Sequence, residues 1–226
     1  RTFSFCRKPS ADLLYAPEQI DPGWFSQAFA LHFCSVSLVD SPMRYAHLAA
    51  ITAAREAGAI LSFDLNLRFP LWPNREQLRQ TVWQFLPLTH ILKLSDEELP
   101  FLTGTEDIEA ALPALFTGDV QLVLYTCGSK GARAYTRTAS ARARSPKVTA
   151  VDTTGAGDGF IGSFLWQLQR DGVITAELPK LSRKRLTEYL AFSNRFCAIS
   201  VQHHGALDSY PTLAQMEQPE TDFPLP

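Results

Sequence analysis

The sequence predicts an α/β protein whose central sheet is mostly parallel and covered by helices on both faces. An apolar strand pattern at 32–38 precedes an alanine-rich helical pattern at 42–57, and a second apolar strand follows at 59–64. Strands separated by helices in this way form right-handed βαβ units and parallel sheets. Two further apolar strands are predicted at 90–94 and 121–126. Ligands of such sheets bind beyond the carboxyl ends of the strands, so polar residues that follow a strand are the first candidates for function.

The remaining elements follow from local signals. Residues 2–7 alternate polar and apolar side chains as a strand does, and Asp21 followed by Pro22 is typical of the start of a short helix. Apolar residues at helical spacing predict helices at 77–86 and 182–199. With 226 residues, 46% of them hydrophobic, the chain can bury one large core or two modest ones.

Charge and composition argue against several classes of function. The formal net charge is -2 and basic residues form only short patches, so no nucleic-acid partner is expected. No apolar segment reaches the roughly 20 residues that a membrane span needs, and the first residues do not resemble a signal peptide. We therefore expect a cytoplasmic protein without a membrane partner. Four widely separated cysteines favour reduced core thiols over a metal cluster or disulfides: Cys6, Cys34, Cys127 and Cys197.

A glycine-rich turn within 151–163 is the strongest functional signal. Apolar residues at helical spacing begin after Gly157, so the turn at 155–157 lies at a helix N-terminus. Amide N–H groups there have no intrahelical partner, and the helix dipole adds positive potential. Such a turn can hold a phosphoryl group, and Asp158 can accept a proton from an attacking hydroxyl. An ordinary glycine-rich turn with an acid that favours the dipole is the alternative.

The letters D-T-T-G-A-G-D at 152–158, followed by G-F-x-G, resemble the signature of the ribokinase-like sugar kinases, the PfkB carbohydrate kinase family. The resemblance implies that Asp158 is the catalytic base. It also implies that the backbone of Gly155, Ala156 and Gly157 forms an anion hole for the transferred phosphate, and that the fold is the three-layer α/β/α fold of ribokinase. No Gly-Lys-Ser/Thr follows, so the turn is not a Walker A loop.

The family pattern predicts that part of the protein precedes this chain. The chain starts without Met, and we expect residues 1–226 to form a single ribokinase-like domain that lacks its first βαβ unit and most of its lid strands. A longer β segment is expected at 142–147, and whether a second segment is missing near 140–147 stays open. Lid strands often make the dimer contact in relatives, which makes a homodimer through the lid one candidate assembly.

Three polar residues follow or end the strand at 59–64. Asp64, Asn66 and Arg68 fall in D-L-N-L-R-F-P-L-W, which resembles the D-x-N-x-R-x-x-L-W stretch of fructokinase-type members. Arg68 carries a planar fork of donors suited to a phosphate or carboxylate, and we assign it to the transferred phosphoryl group. Asp64 and Asn66 would orient Arg68 or reach the substrate. A structural Arg–Asp pair is the alternative.

A second candidate for sugar binding lies near the start of the chain. Arg7 and Asp12 fall in F-C-R-K-P-S-A-D, which is similar to the Y/F-x-R-x-x-S/G-A-D stretch of the fructokinase and 2-keto-3-deoxygluconate kinase branches. In those branches the stretch leads from the lid to the substrate, which implies that both side chains bind sugar hydroxyls. An exposed turn with ordinary polar residues is the alternative.

The strand at 90–94 leads into S-D-E-E-L-P-F-L-T-G, which resembles the K-x-N/S-x-x-E-x-x-x-L-T-G motif of the family. The resemblance implies that Ser95 lies near the nucleotide phosphates and that Glu98 positions Mg²⁺ through water. A capping box, in which Ser95 and Glu98 satisfy each other's backbone amides at a helix start, would explain the same spacing.

The strand at 121–126 ends in a turn that resembles the T-x-G-x-x-G nucleotide turn of the family. The ATP-binding residues that this implies are Thr126, Gly128, Ser129 and Gly131. Glycines let the chain approach a phosphate, although Gly-Ser-Lys-Gly would also serve any hairpin. By the same resemblance, the helix at 182–199 walls the adenine pocket and carries Asn194.

The segment that follows this helix is implied to bind a monovalent cation. In many family members, side chains at the positions of Asp152 and Ser209 hold potassium with local carbonyls, and Thr154 lies next to this position. His203 and His204 also suggest zinc. Adjacent residues cannot direct both rings at one ion from a regular element, so potassium is the ion that we expect here.

These motifs predict a kinase that uses ATP and Mg²⁺, with K⁺ as a further cofactor. The favoured substrate is D-fructose, phosphorylated at its 6-hydroxyl. Sister specificities are 2-keto-3-deoxygluconate, ribose or a nucleoside-like riboside. A non-catalytic sugar or nucleotide sensor and a purely structural α/β domain are the alternatives from other classes. An intact Asp158 argues against the sensor, which has no need of a base.

Overall fold

The structure is a computed structural model that describes residues 10–218, and these residues contain six strands and seven α-helices. In chain order these are β1 (Ala30–Cys34), α1 (Pro42–Glu56), β2 (Ile60–Asp64), α2 (Arg75–Phe85), β3 (Ile91–Ser95), α3 (Leu99–Thr103), α4 (Ile108–Leu115), β4 (Leu122–Thr126), β5 (Ala132–Tyr135), β6 (Ser140–Ala143), α5 (Ala156–Arg170), α6 (Arg183–Ser200) and α7 (Leu213–Glu217).

Nine short 3₁₀-helices join these elements within the described residues. They are Ala11–Leu14, Pro17–Gln19, Pro22–Phe25, Ser35–Ser37, Phe69–Leu71, Leu86–Leu88, Gly128–Lys130, Thr175–Lys180 and Leu207–Ser209. The short helix predicted after Asp21 is one of them, and the Asp21 carboxylate accepts a hydrogen bond from the Gly23 amide at 2.8 Å.

The chain divides into two compact units, with the division between Val123 and Leu124 inside β4. The strands are hydrogen-bonded in chain order from β1 to β6. The pairs β1–β2 and β2–β3 are parallel, whereas β5–β6 is antiparallel. The mostly parallel sheet is therefore confirmed, while the single domain predicted over the whole chain stays a prediction.

The first unit is built on a strand that is buried along its whole length. Each residue of β2 is buried, which explains why its sequence up to Asp64 is apolar except for Ser62. Helix α1 begins with Pro42 in its first turn, and its buried face is alanine-rich, so the helix can approach the sheet closely. The pKa of His90 is lowered by burial, and its Nδ1 accepts the Leu61 amide proton at 3.0 Å, which requires a neutral ring.

The strand predicted at 32–38 is shorter and less buried than expected. Strand β1 ends at Cys34, and Phe33 is its one buried residue. The chain then turns into Ser35–Ser37, and the amide of Ser35 donates to the Leu65 carbonyl at 3.4 Å. Strand β1 lies at one end of the strand order, so it is less covered than β2. Its apolar sequence does not reveal this position.

The second unit contains the hairpin β5–β6 and the helix pair α5 and α6. Ala132 pairs with Ala143 in the hairpin, and β6 ends there, so the longer β segment expected within 142–147 is not formed. A buried amide joins the two helices, because Gln167 Nε2 donates to the carbonyls of Ser163 and Tyr189 at 3.2 and 3.1 Å. The rings of Phe164 and Tyr189 pack edge to face at 5.6 Å.

Some predictions fall on residues that the structure does not describe. The strand at 2–7 and Cys6 lie outside residues 10–218. The other three cysteines are free thiols, as predicted, but they are half-buried, which differs from the prediction that they lie in the core. None of the helices within residues 10–218 has the length and apolar character that crossing a bilayer requires.

Candidate active site

Helix α5 begins at a glycine that no other residue can replace without a clash. Gly155 is the N-cap residue and has a φ of +74°, the left-handed conformation that favours glycine. A Cβ atom at this position would lie 2.9 Å from both the Cβ of Ala206 and the hydroxyl oxygen of Tyr210. The turn therefore depends on glycine for its backbone conformation and for its close packing against 206–210.

The first turn of α5 presents backbone donors that lack an acceptor. The amide of Ala156 donates to the Thr153 carbonyl at 3.3 Å, and the amide of Gly159 donates to the Gly155 carbonyl at 2.8 Å. No side chain caps the helix, and the amides of Gly157 and Asp158 donate to no acceptor within residues 10–218. Two N–H groups at the positive end of the helix dipole are thus open to an anion.

Asp158 lies in the first turn of α5 with its side chain exposed. Within residues 10–218 its carboxylate makes no hydrogen bond or ion pair, so it can accept a proton from a bound hydroxyl. It borders a cavity of about 370 Å³ with an apolar lining. The cavity is also lined by Gly159, Gly162, Ser163, Trp166, Phe192, Phe196, Tyr210, Pro211, Leu213 and Met216.

The Asp152 side chain stabilises the turn before α5 through hydrogen bonds. One carboxylate oxygen, Oδ1, accepts the amide of Thr154 at 2.9 Å and its hydroxyl at 2.7 Å. The other oxygen, Oδ2, accepts the amide of Gly205 at 3.1 Å. One side chain therefore links the turn before α5 to the segment after α6.

The predicted cation ligands consist of oxygen atoms, which is the chemistry that potassium requires. Asp152 and Thr154 are in contact, and their role as cation ligands stays a prediction. Ser209 is buried, and its Oγ already donates to the Ala206 carbonyl at 2.7 Å and lies 2.7 Å from Ser200 Oγ. The donor set fits a cation through Asp152, whereas Ser209 would contribute only a remaining lone pair. For zinc, residues 10–218 contain no group of three or more His, Cys, Asp or Glu side chains that could hold the ion.

In the first unit, Glu98 is held by hydrogen bonds to two loops. Its Oε2 accepts the amide of Ser95 at 2.9 Å, and its Oε1 accepts the amide of Leu67 at 2.9 Å. Ser95 Oγ accepts the amide of Glu98 at 3.3 Å, so the two residues satisfy each other's amides in the turn before α3, whose N-cap is Glu98 and not Ser95. Each carboxylate oxygen keeps a lone pair, which fits a water-mediated contact to Mg²⁺.

Asp64 is buried and its Oδ2 accepts a hydrogen bond from Lys93 Nζ at 2.7 Å. Lys93 was not selected from the sequence. Asn66 has a φ of +41°, which is unusual for a residue other than glycine. Such conformations are often found at functional sites. Arg68 is half-buried, and its Nη1 donates to the Leu67 carbonyl at 3.0 Å. The assigned roles of Asp64, Asn66 and Arg68 stay predictions.

The predicted nucleotide turn, Thr126 to Gly131, forms a tight loop closed by the Cys127 amide, which donates to the Gly131 carbonyl at 2.8 Å. Ser129 and Gly128 are exposed and available to a ligand. Gly131 has a φ of +97°, and a Cβ there would lie 2.1 Å from the Ala143 carbonyl oxygen. Packing against the protein's own backbone therefore requires this glycine, whatever the loop binds.

Asn194 is buried, and its Nδ2 donates to the carbonyls of Ala143 and Arg144 at 3.0 and 3.3 Å. It holds the end of β6, and a role in walling an adenine pocket would be indirect. Asp12 lies half-buried in the 3₁₀-helix Ala11–Leu14, and Arg7 lies outside the described residues. Tyr210, whose hydroxyl donates to the Gly155 carbonyl at 2.8 Å, was missed, because no local pattern predicts a contact across 55 positions.

Comparison with known proteins identifies the class. The model of the pfkB family carbohydrate kinases matches residues 1–213, and the chain belongs to this family. A protein of Arabidopsis thaliana named probable fructokinase-4 is 39% identical over 219 residues, which are 96% of this chain and 65% of the relative. The chain thus spans about two thirds of the length of that relative.

Solved structures agree with this assignment. A fructokinase from Xylella fastidiosa with bound ATP superposes with a TM-score of 0.89 at 35% identity, over 96% of this chain and 68% of that one. A double mutant of the fructokinase from Vibrio cholerae, with fructose, ADP and potassium ion bound, superposes with a TM-score of 0.82 at 33% identity. The match covers 95% of this chain and 67% of that one. The predicted ribokinase-like α/β fold is confirmed by these similarities.

Proposed function

We propose that this protein is an ATP-dependent kinase that phosphorylates the 6-hydroxyl of D-fructose. The observation that carries the proposal is the start of α5, where the exposed Asp158 carboxylate lies beside the open amides of Gly157 and Asp158. A base and an anion site in one helical turn are what phosphoryl transfer to an alcohol requires.

Each residue has one task in the proposed reaction. Asp158 accepts the proton of the attacking hydroxyl, and the amides at the start of α5 stabilise the charge on the transferred group. Arg68 supplies a charged donor to the same group. Bound Mg²⁺ would neutralise phosphate charge, and Glu98 would hold it through water. The residues proposed to hold ATP are Ser95, Thr126, Gly128, Ser129, Gly131 and, indirectly, Asn194.

The similar proteins support fructose as the substrate. The relative from Arabidopsis and both solved structures are fructokinases by name, and one of them holds fructose. In this chain, Arg7, Asp12, Asp64 and Asn66 are the proposed sugar contacts. A potassium ion in the structure from Vibrio cholerae supports the use of a monovalent cation, which we assign to the oxygen atoms at Asp152. A cytoplasmic location, a homodimer through lid strands and the lack of nucleic-acid or membrane partners stay predictions.

The test is a substrate panel measured on the complete protein with ATP and Mg²⁺. The panel contains D-fructose, ribose, 2-keto-3-deoxygluconate, adenosine and aminoimidazole riboside. We expect the highest kcat/KM for fructose, because a site built to hydrogen-bond particular hydroxyls rejects analogues that leave its polar groups unpaired. A preference for another member would overturn fructose and keep the kinase. No turnover of any member would favour the sensor.

A further inference from the structure

Tyr210 follows the 3₁₀-helix Leu207–Ser209 and reaches back to the start of α5. Its hydroxyl donates to the Gly155 carbonyl oxygen at 2.8 Å. Its ring packs against the ring of Phe196, with centroids 5.2 Å apart, and against Gly159. A Cβ on Gly159 would lie 3.1 Å from the Tyr210 ring, so the ring and the helix fit closely. Packing therefore holds the ring in place independently of the hydrogen bond that its hydroxyl makes.

The acceptor of this hydrogen bond is an atom on which the helix start depends. The same Gly155 carbonyl accepts the amide of Gly159 at 2.8 Å, the first hydrogen bond that encloses the turn. Gly155 is also the residue whose φ of +74° sets the direction of the chain into α5. A second donor on this carbonyl restrains the peptide plane between Gly155 and Ala156. That plane immediately precedes the open amides of Gly157 and Asp158.

No side chain caps α5, so restraint on the turn comes from side chains outside the helix. Asp152 restrains the residues before Gly155, and Tyr210 restrains Gly155 itself. The pKa of Tyr210 is raised, first by burial and then by the negative charge of Asp158, so the hydroxyl keeps its proton near neutral pH. Asp158 and Tyr210 also line the same cavity.

We propose that Tyr210 is a positioning residue for phosphoryl transfer, because its hydroxyl holds the Gly155 turn so that the α5 amides and Asp158 keep their reactive geometry. The inference rests on the proposed kinase function. The role acts through the Gly155 carbonyl and requires no contact between Tyr210 and either ligand. Loss of the hydroxyl should therefore slow the chemical step and leave the binding of both ligands nearly unchanged.

The test compares Tyr210→Phe with Tyr189→Phe in the complete protein. Both variants keep the ring and lose one buried hydroxyl, but Tyr189 donates to Asp171 Oδ2 at 2.7 Å, away from the turn. For Tyr210→Phe we expect kcat with fructose to fall about 3- to 10-fold, the effect of one lost hydrogen bond, with KM for ATP and fructose nearly unchanged. Tyr189→Phe should keep kcat.

Amide hydrogen exchange provides a second readout that needs no activity. In Tyr210→Phe, the segment 153–159 should exchange several-fold faster than in the wild type, while Tyr189→Phe leaves it unchanged. Unchanged exchange, or an unchanged kcat in an active enzyme, would overturn the positioning role. A wild-type protein without turnover of any sugar would overturn the proposed function instead, and the exchange rates would then decide whether Tyr210 holds the turn.

Discussion

Two carboxylates, Glu98 and Asp158, lie in the first turn of a helix or just before it, and their surroundings are opposite. Both oxygens of Glu98 accept backbone amides, from Ser95 and Leu67. Asp158 is exposed and makes no hydrogen bond within the described residues. The Glu98 carboxylate belongs to the local hydrogen-bond network. The Asp158 carboxylate takes no part in such a network within the described residues.

The difference extends to the neighbours of each carboxylate. Near Glu98, the buried Asp64 is paired with Lys93. Near Asp158, the open groups are backbone amides, and the supporting side chains, Asp152 and Tyr210, lie behind the turn. The polar groups around Glu98 are largely satisfied within the protein, whereas the start of α5 leaves polar groups open to a ligand or a reaction.

The largest effect on stability is expected from Lys93→Met. The substitution removes the positive charge that pairs with the buried Asp64 carboxylate, and breaking a buried pair in this way costs roughly 3–5 kcal/mol. The free energy of unfolding in urea measures this cost. Lys184→Met, at an exposed position of α6, is the matched control and should stay within about 0.5 kcal/mol of wild type. Equal stabilities of the two variants would remove the contrast between the regions.

The open region is tested by Gly157→Val. An isopropyl group beside the open amides should hinder an approaching phosphoryl group and cost about 3 kcal/mol of transition-state stabilisation, measured as a loss of kcat/KM. Gln169→Val is the control, because it places the same side chain at an exposed position of the same helix outside the cavity that Asp158 borders. If both variants phosphorylated fructose at the same rate, the anion site would have to lie elsewhere.

A smaller, several-fold effect is expected from the cation. If Asp152, Thr154 and Ser209 enclose a monovalent ion, exchange of sodium for potassium at constant ionic strength should raise activity, because the larger ion suits a ring of oxygen ligands. Asp152→Asn should abolish the difference between the two salts. Equal wild-type rates in both salts would remove the cation from the account.

Sequence reasoning succeeded where the signal is local. The start of α5 follows from the turn at 155–157, and the reciprocal hydrogen bonds of Ser95 and Glu98 follow from their spacing, because neighbouring residues determine both. The contacts of Asp64 with Lys93 and of Tyr210 with Gly155 were not predicted, because tertiary packing sets them. The burial of β1 was overestimated for a related reason, since an apolar strand does not reveal its place in a sheet.

The central claim is that Asp158 is the base of a phosphoryl transfer, and the rate of Asp158→Asn tests it most directly. Asparagine keeps the shape of the side chain but cannot accept the proton, so kcat should fall by roughly 10²- to 10⁴-fold with ATP and fructose binding nearly intact. Asp40→Asn is the control, because that side chain is 81% exposed and lies in the other unit. It should turn over like wild type. Turnover of Asp158→Asn within a few-fold of Asp40→Asn would contradict the account.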